Sequence, residues 1–149
     1  MTFLPITGSD TLGPEARQWY TLRDALVPFI GERAVSLFSY AISDESDALV
    51  CSVYFRRILI DNGEDPDNPQ VTETEQLLID WGRLMASSPS DIPDAFYSRL
   101  EAAFTPQLRV QLLAFAGQMV ATNLFTTVGK VPLEEILYGY RKPGDERTR

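Results

Sequence analysis

Cys51 is the only thiol in the chain, and no histidine accompanies it. Without imidazole there is no Ser-His-Asp triad, no Cys-His pair and no histidine metal ligand. A single thiol provides no internal disulfide, no Cys-x-x-Cys redox pair and no cysteine zinc cluster. Proton transfer near neutral pH would fall to a retuned carboxylate, thiol, lysine or tyrosine. Neither a metal nor a cofactor is expected. The glycines are scattered and form no phosphate loop. Glu73, Glu75 and Asp80 share one predicted helix, and Glu134 and Glu135 sit side by side, so spacing alone brings no two carboxylates together from separate elements.

Two readings of Cys51 follow. As a peroxidatic thiol it needs a nearby cation or a helix N-terminus to favour thiolate. It stands a turn or so into a predicted helix, but Asp47 lies one turn earlier, Asp44 and Glu45 add negative charge, and Ala48, Tyr54 and Phe55 at helical spacing are neutral. As a small apolar residue of the core it needs none of this, and the neighbouring charges favour that reading. The cluster Tyr54, Phe55, Arg56, Arg57 admits a ligand site, an aromatic wall with a guanidinium for a carboxylate. It also admits a helix with aromatics inward and arginines outward, Arg57 pairing Asp61 four residues on.

The elements that would hold these residues read as helices throughout. Pro14 and Glu15 open a helix carrying Trp19, Leu22, Leu26 and Phe29, closed by Pro28 and Gly31. A second runs from about Glu32 to Ile42. Ser43-Asp44-Glu45-Ser46-Asp47 reads as the capped, acidic start of a third, which continues to Asn62-Gly63. After the turn 64–70, Thr72-x-x-Glu75 predicts a capping box on a fourth helix. Ser87–Pro93 is a loop, Asp94–Phe104 a short helix, and Thr105-Pro106 starts the longest one, to about Val128. Residues 1–13 read as an irregular lead-in and 141–149 as a flexible tail without an apolar anchor. The fold class is all-α, a single domain over 1–149 built as a bundle of about six helices.

A 149-residue chain is one domain's worth and buries roughly two-thirds of its unfolded surface. The net charge of −8 opposes nucleic acid and anionic membrane as partners. Twenty residues without a charge separate Arg109 from Lys130, enough for a membrane span by length. Gln111, Gln118, Thr122, Asn123, Thr126 and Thr127 inside that run suit burial in protein better than lipid. No basic start joins an apolar run as a signal peptide would, and the lone thiol suits a reducing compartment, so a soluble cytoplasmic protein is expected. Gln111, Gln118 and Thr122 share one stripe of the last helix with Asn123 beside it. That stripe is expected to face a neighbouring subunit or a pocket.

From Arg33 to Val128 the pattern resembles the carboxymuconolactone decarboxylase and alkyl hydroperoxidase D-like superfamily. Asp61-Asn62-Gly63 looks like the glycine stop of the family's redox helix. Counting back from it puts Phe55 at the histidine position, Cys51 at the second cysteine and Ala48 at the first. Glu75-x-Leu77-Leu78 and Phe104-Thr105-Pro106 leading into a long helix with Asn123 extend the likeness. Ser36 stands where redox members have glutamate, so the chain resembles a divergent member lacking the Cys-x-x-Cys and histidine. The resemblance implies a homo-oligomer (dimer, trimer or hexamer) and a pocket lined by Ser36, Tyr40, Ala48, Tyr54 and Phe55 beside Cys51. It implies a protein that binds or turns over a small molecule in an apolar pocket, or an oligomeric interaction protein. The alternative it leaves open is a single-cysteine thiol peroxidase acting through Cys51. Acid/base chemistry of the decarboxylase kind would depend on a retuned carboxylate or on Tyr54.

Overall fold

The computed structural model describes residues 14–149, with side chains from residue 18 onward; the expected lead-in at 1–13 lies outside them. The chain is an all-α bundle, and no strand occurs among the described residues. Helix α1 spans Pro14–Glu45 but is broken at Gly31, whose φ of 84° and ψ of 159° are not helical. The two helices expected on either side of Pro28 and Gly31 are therefore present, joined at a kink that a glycine permits. Phe29, placed inward by periodicity, is 63% exposed just before the break.

The second half of α1 is the axis of the molecule. Every residue from Ala34 to Ser43 is buried, because α1 packs against α2, α3 and α5 together, and a helix enclosed on all sides loses its polar face. Phe38 stacks between Trp81 at 6.1 Å and Phe115 at 6.0 Å, ring centre to ring centre. Gly82 lets α3 (Glu73–Ser87) approach closely, since a Cβ there would lie 3.1 Å from Ile42 and 3.3 Å from Ala41 and Phe38.

Helix α2 (Leu49–Asp61) begins differently from the sequence expectation. The acidic run Ser43–Asp47 ends α1 and turns the chain, Asp47 taking a φ of 51°, and the α2 cap is Ala48 without a side-chain bond. Acidic residues at a helix C-terminus oppose its dipole, but partners distant in sequence compensate here: Arg83 bonds Asp44 at 3.1 Å and Glu45 at 3.3 Å, and Lys142 reaches Asp44. The other end of α2 is as read, with Gly63 at φ 82° and the Glu64 and Gly63 N–H groups bonded back to the Leu59 and Ile60 carbonyls.

The capping box of α3 forms, Thr72 Oγ1 accepting from the Glu75 N–H and Glu75 from the Thr72 N–H. Glu75 also takes Arg33 of α1, which donates to Glu64 and to the Gln70 carbonyl, stapling the 64–70 turn to the bundle. Helix α4 covers Asp94–Ala103 and α5 covers Pro106–Val128, with Thr105 capping α5 through the Leu108 N–H.

The tail is a correction. Residues 141–149 are docked: the Leu133 N–H donates to the Thr148 carbonyl at 2.7 Å, Arg147 pairs with Asp47 and Asp145, and Leu133 and Leu137 close a second small core on Leu49 and Val53 of α2. Ionic and backbone bonds supply the anchor that the apolar pattern lacked. Among the described residues one stretch, Gln18–Glu45, is long and apolar enough to cross a membrane, and 56% of its most apolar window is buried within the bundle.

Candidate functional site

Most of the residues expected to line a pocket belong to the packed core. Ala48, Cys51 and Phe55 project inward from α2 and are buried, as are Ser36 and Tyr40 from α1. Phe55 packs on Trp19 at 5.6 Å and Tyr54 at 5.2 Å between ring centres. Cys51 is 6% exposed, its sulfur 3.6 Å from Thr126 Oγ1 of α5. Burial pushes the thiol up to about 11, the Thr126 bond opposing this in part, and no charged group contributes. At neutral pH only about one such thiol in ten thousand would be thiolate. Burial likewise raises Tyr54, against its use as a base near neutrality.

Tyr40 is committed to structure. Its hydroxyl accepts from Arg56 Nη1 at 3.0 Å, and the same guanidinium bonds Asp67 and the Tyr140 carbonyl. Arg56 is thus inward and only 3% exposed, the reverse of the outward position expected for it, while Arg57 is exposed and pairs Asp61 at 3.6 Å as spacing predicted. Asn123 accepts from Ser43 Oγ at 3.1 Å inside the bundle. Gln111, Gln118 and Thr122 of the α5 polar stripe are half-buried.

A groove of about 680 Å³ lies between α3, α4 and α5. Its floor is Ile42 of α1, Trp81 of α3, Leu100 of α4 and Ala116 of α5, all buried. Met85, Pro89 and Ile92 form one wall, and Tyr97, Val110 and Leu113 form a rim exposed to solvent. The groove exists because α4 is short and the loop 88–93 swings it away from the α1–α3–α5 packing. Two charged residues border it, Glu101 and Arg109. Arg109 has no ion-pair partner among the described residues, and its Nε is enclosed without a hydrogen-bond acceptor. A guanidinium nitrogen left without an acceptor away from water is costly, so an anionic group entering the groove would find a donor already in place.

The chain matches no protein-family model, no curated protein and no solved structure. Sequence reasoning missed the groove because its apolar lining comes from five segments with unremarkable local patterns. Arg109 carried the one available signal, as the single cation within the first turn of an otherwise uncharged helix.

Proposed function

We propose that the protein is a non-redox binder of a small apolar molecule bearing an anionic group, held in the groove between α3, α4 and α5. The observation that carries this reading is the unpaired Arg109 at the wall of an apolar groove. The apolar body would lie on Trp81 and Met85, and the anion would meet the guanidinium, the few-polar-groups arrangement common in ligand sites. Kinship with the carboxymuconolactone decarboxylase and alkyl hydroperoxidase D-like superfamily, as a member without its redox site, belongs to the same proposal; it rests on the register of α2 from Gly63 back through Phe55 and Cys51. A thiol peroxidase finds no support in the surroundings of Cys51, which supply burial and no cation.

Titration with decanoate, followed by Trp81 fluorescence, tests the reading. Decanoate should bind more tightly than decanol, and Arg109→Gln should weaken decanoate by about tenfold while leaving decanol unchanged. Equal binding of acid and alcohol, or an indifferent Arg109→Gln, would refute it.

A further inference from the structure

Arg109, Leu113, Ala116 and Val120 line the groove at spacings of four, three and four residues, so it follows one stripe of α5 along the helix axis. Its two ends differ. Glu101 and Pro106 flank the joint between α4 and α5, and Arg109 stands beside them in the first turn of α5. The positive end of the α5 dipole lies at this joint and adds to the guanidinium. At the other end Val120 is the last α5 residue of the lining. It stands level with Ile42 of α1, whose neighbour Ser43 bonds Asn123. Among the described residues no charged side chain lines that end. Ala116 and Gly117 keep the stretch before Val120 clear, and a Cβ added at Gly117 would meet nothing within 4 Å.

This polarity orients a ligand and limits its length. Val120 lies eleven residues beyond Arg109, a distance of about 16 Å at the helical rise. An extended alkyl chain, with bonds of about 1.5 Å at near-tetrahedral angles, advances about 1.3 Å per carbon, so about thirteen carbons span that distance. The head should carry one charge rather than two. Glu101 and Arg109 together leave the lining without net charge, and the second charge of a dianion would meet a carboxylate.

Building on the ligand reading above, we propose that the ligand is an unbranched long-chain monocarboxylate. Its head lies on Arg109 and its terminal methyl stops against Val120 and Ile42, so Val120 sets the chain length accepted.

Calorimetric titration with saturated carboxylates of about eight to sixteen carbons, each below its micelle concentration, tests the assignment. Affinity should rise about two- to fourfold per methylene and level off near about thirteen carbons. Val120→Phe should level off about three carbons sooner, and Val120→Ala about one or two later. Should Val120→Phe fail to fold, Val120→Ala at this half-buried position decides the point. Arg109→Gln should weaken every acid by the same factor and leave the plateau in place. Dodecyl phosphate, a dianion at pH 8, should bind no more tightly than tridecanoate. Affinity still rising at sixteen carbons, a plateau indifferent to Val120, or tighter binding of the phosphate overturns the proposal, while decanoate binding through Arg109 stands. If decanoate binds no better than decanol, the ligand reading falls and this assignment falls with it.

Discussion

Cys51 meets α5 through Thr126 and Arg109 belongs to α5, and the two sit in opposite kinds of surroundings. Around Cys51 the bundle is closed: Phe55, Trp19 and Phe115 belong to the same buried core, Ser43 donates to Asn123, and Thr126 meets the Cys51 sulfur, although Asn123 Nδ2 is left without a partner. Around Arg109 the packing stops short, leaving an apolar groove and a guanidinium with no acceptor. The reactive-looking residue is in the region where nothing can enter, and the ordinary-looking one is where something can. Chemical character of a side chain and access to it are separate properties, and the second is a matter of packing.

The sharpest way to break this contrast is to place a carboxylate in each region. Cys51→Asp would bury a charge with no cation near it, and we expect a loss of several kcal/mol, enough to prevent folding. Tyr97→Asp at the groove rim should change stability by less than about 0.5 kcal/mol in urea unfolding. Comparable losses at the two positions would mean that the regions are equally packed.

Thiol trapping sharpens the closed side. With its pKa at about 11 and 6% exposure, Cys51 should react with an aromatic disulfide reagent at pH 8 at least about a hundredfold more slowly than free cysteine. Denaturant should restore the rate, and peroxide should not consume the thiol preferentially. A native rate matching free cysteine would reopen the peroxidase alternative.

A more modest loss than that of Cys51→Asp is expected in the ionic lining of the closed side. Asp67→Asn leaves Arg56 buried with only Tyr40 and the Tyr140 carbonyl, and should cost about 2 kcal/mol, below the range for fully buried pairs because Asp67 is 44% exposed. Arg56 holds Asp67 below the usual carboxylate range, and for Glu75 the Thr72 N–H and Arg33 outweigh a burial that pushes the other way. Both folded-state values are thus depressed. The stability they add is complete above the unfolded carboxylate values and disappears as pH falls through the folded ones, so acid unfolding should steepen below about pH 4. Asp67→Asn should flatten that limb, and a variant with the full acid limb would show that the pair contributes nothing through linkage.

Local signals in the sequence were reliable where the cause was local. Thr72 and Glu75 made their capping box, Gly63 ended α2, Thr105 opened α5, and Gly31 broke α1. They misled where a distant partner decided. Ser43–Asp47 resembles a helix start, yet Arg83 and Lys142 stabilise it as a helix end. Arg56 follows an outward pattern, yet Asp67 and Tyr40 draw it in. Residues 141–149 have no apolar anchor, yet Arg147 finds Asp47. Of the residues expected to line a pocket, Ser36, Tyr40, Ala48, Cys51 and Phe55 are buried and Tyr54 is half-buried.

The absence of histidine and the single thiol settled from the sequence alone which catalysts the protein cannot carry, and its periodicities settled that it is a bundle of helices, because both depend on residue type and near-neighbour spacing. Where solvent can reach was decided by the tertiary structure alone. The groove is a gap left by five segments that meet only after folding, and the burial of Cys51 is the summed volume of side chains distant in sequence.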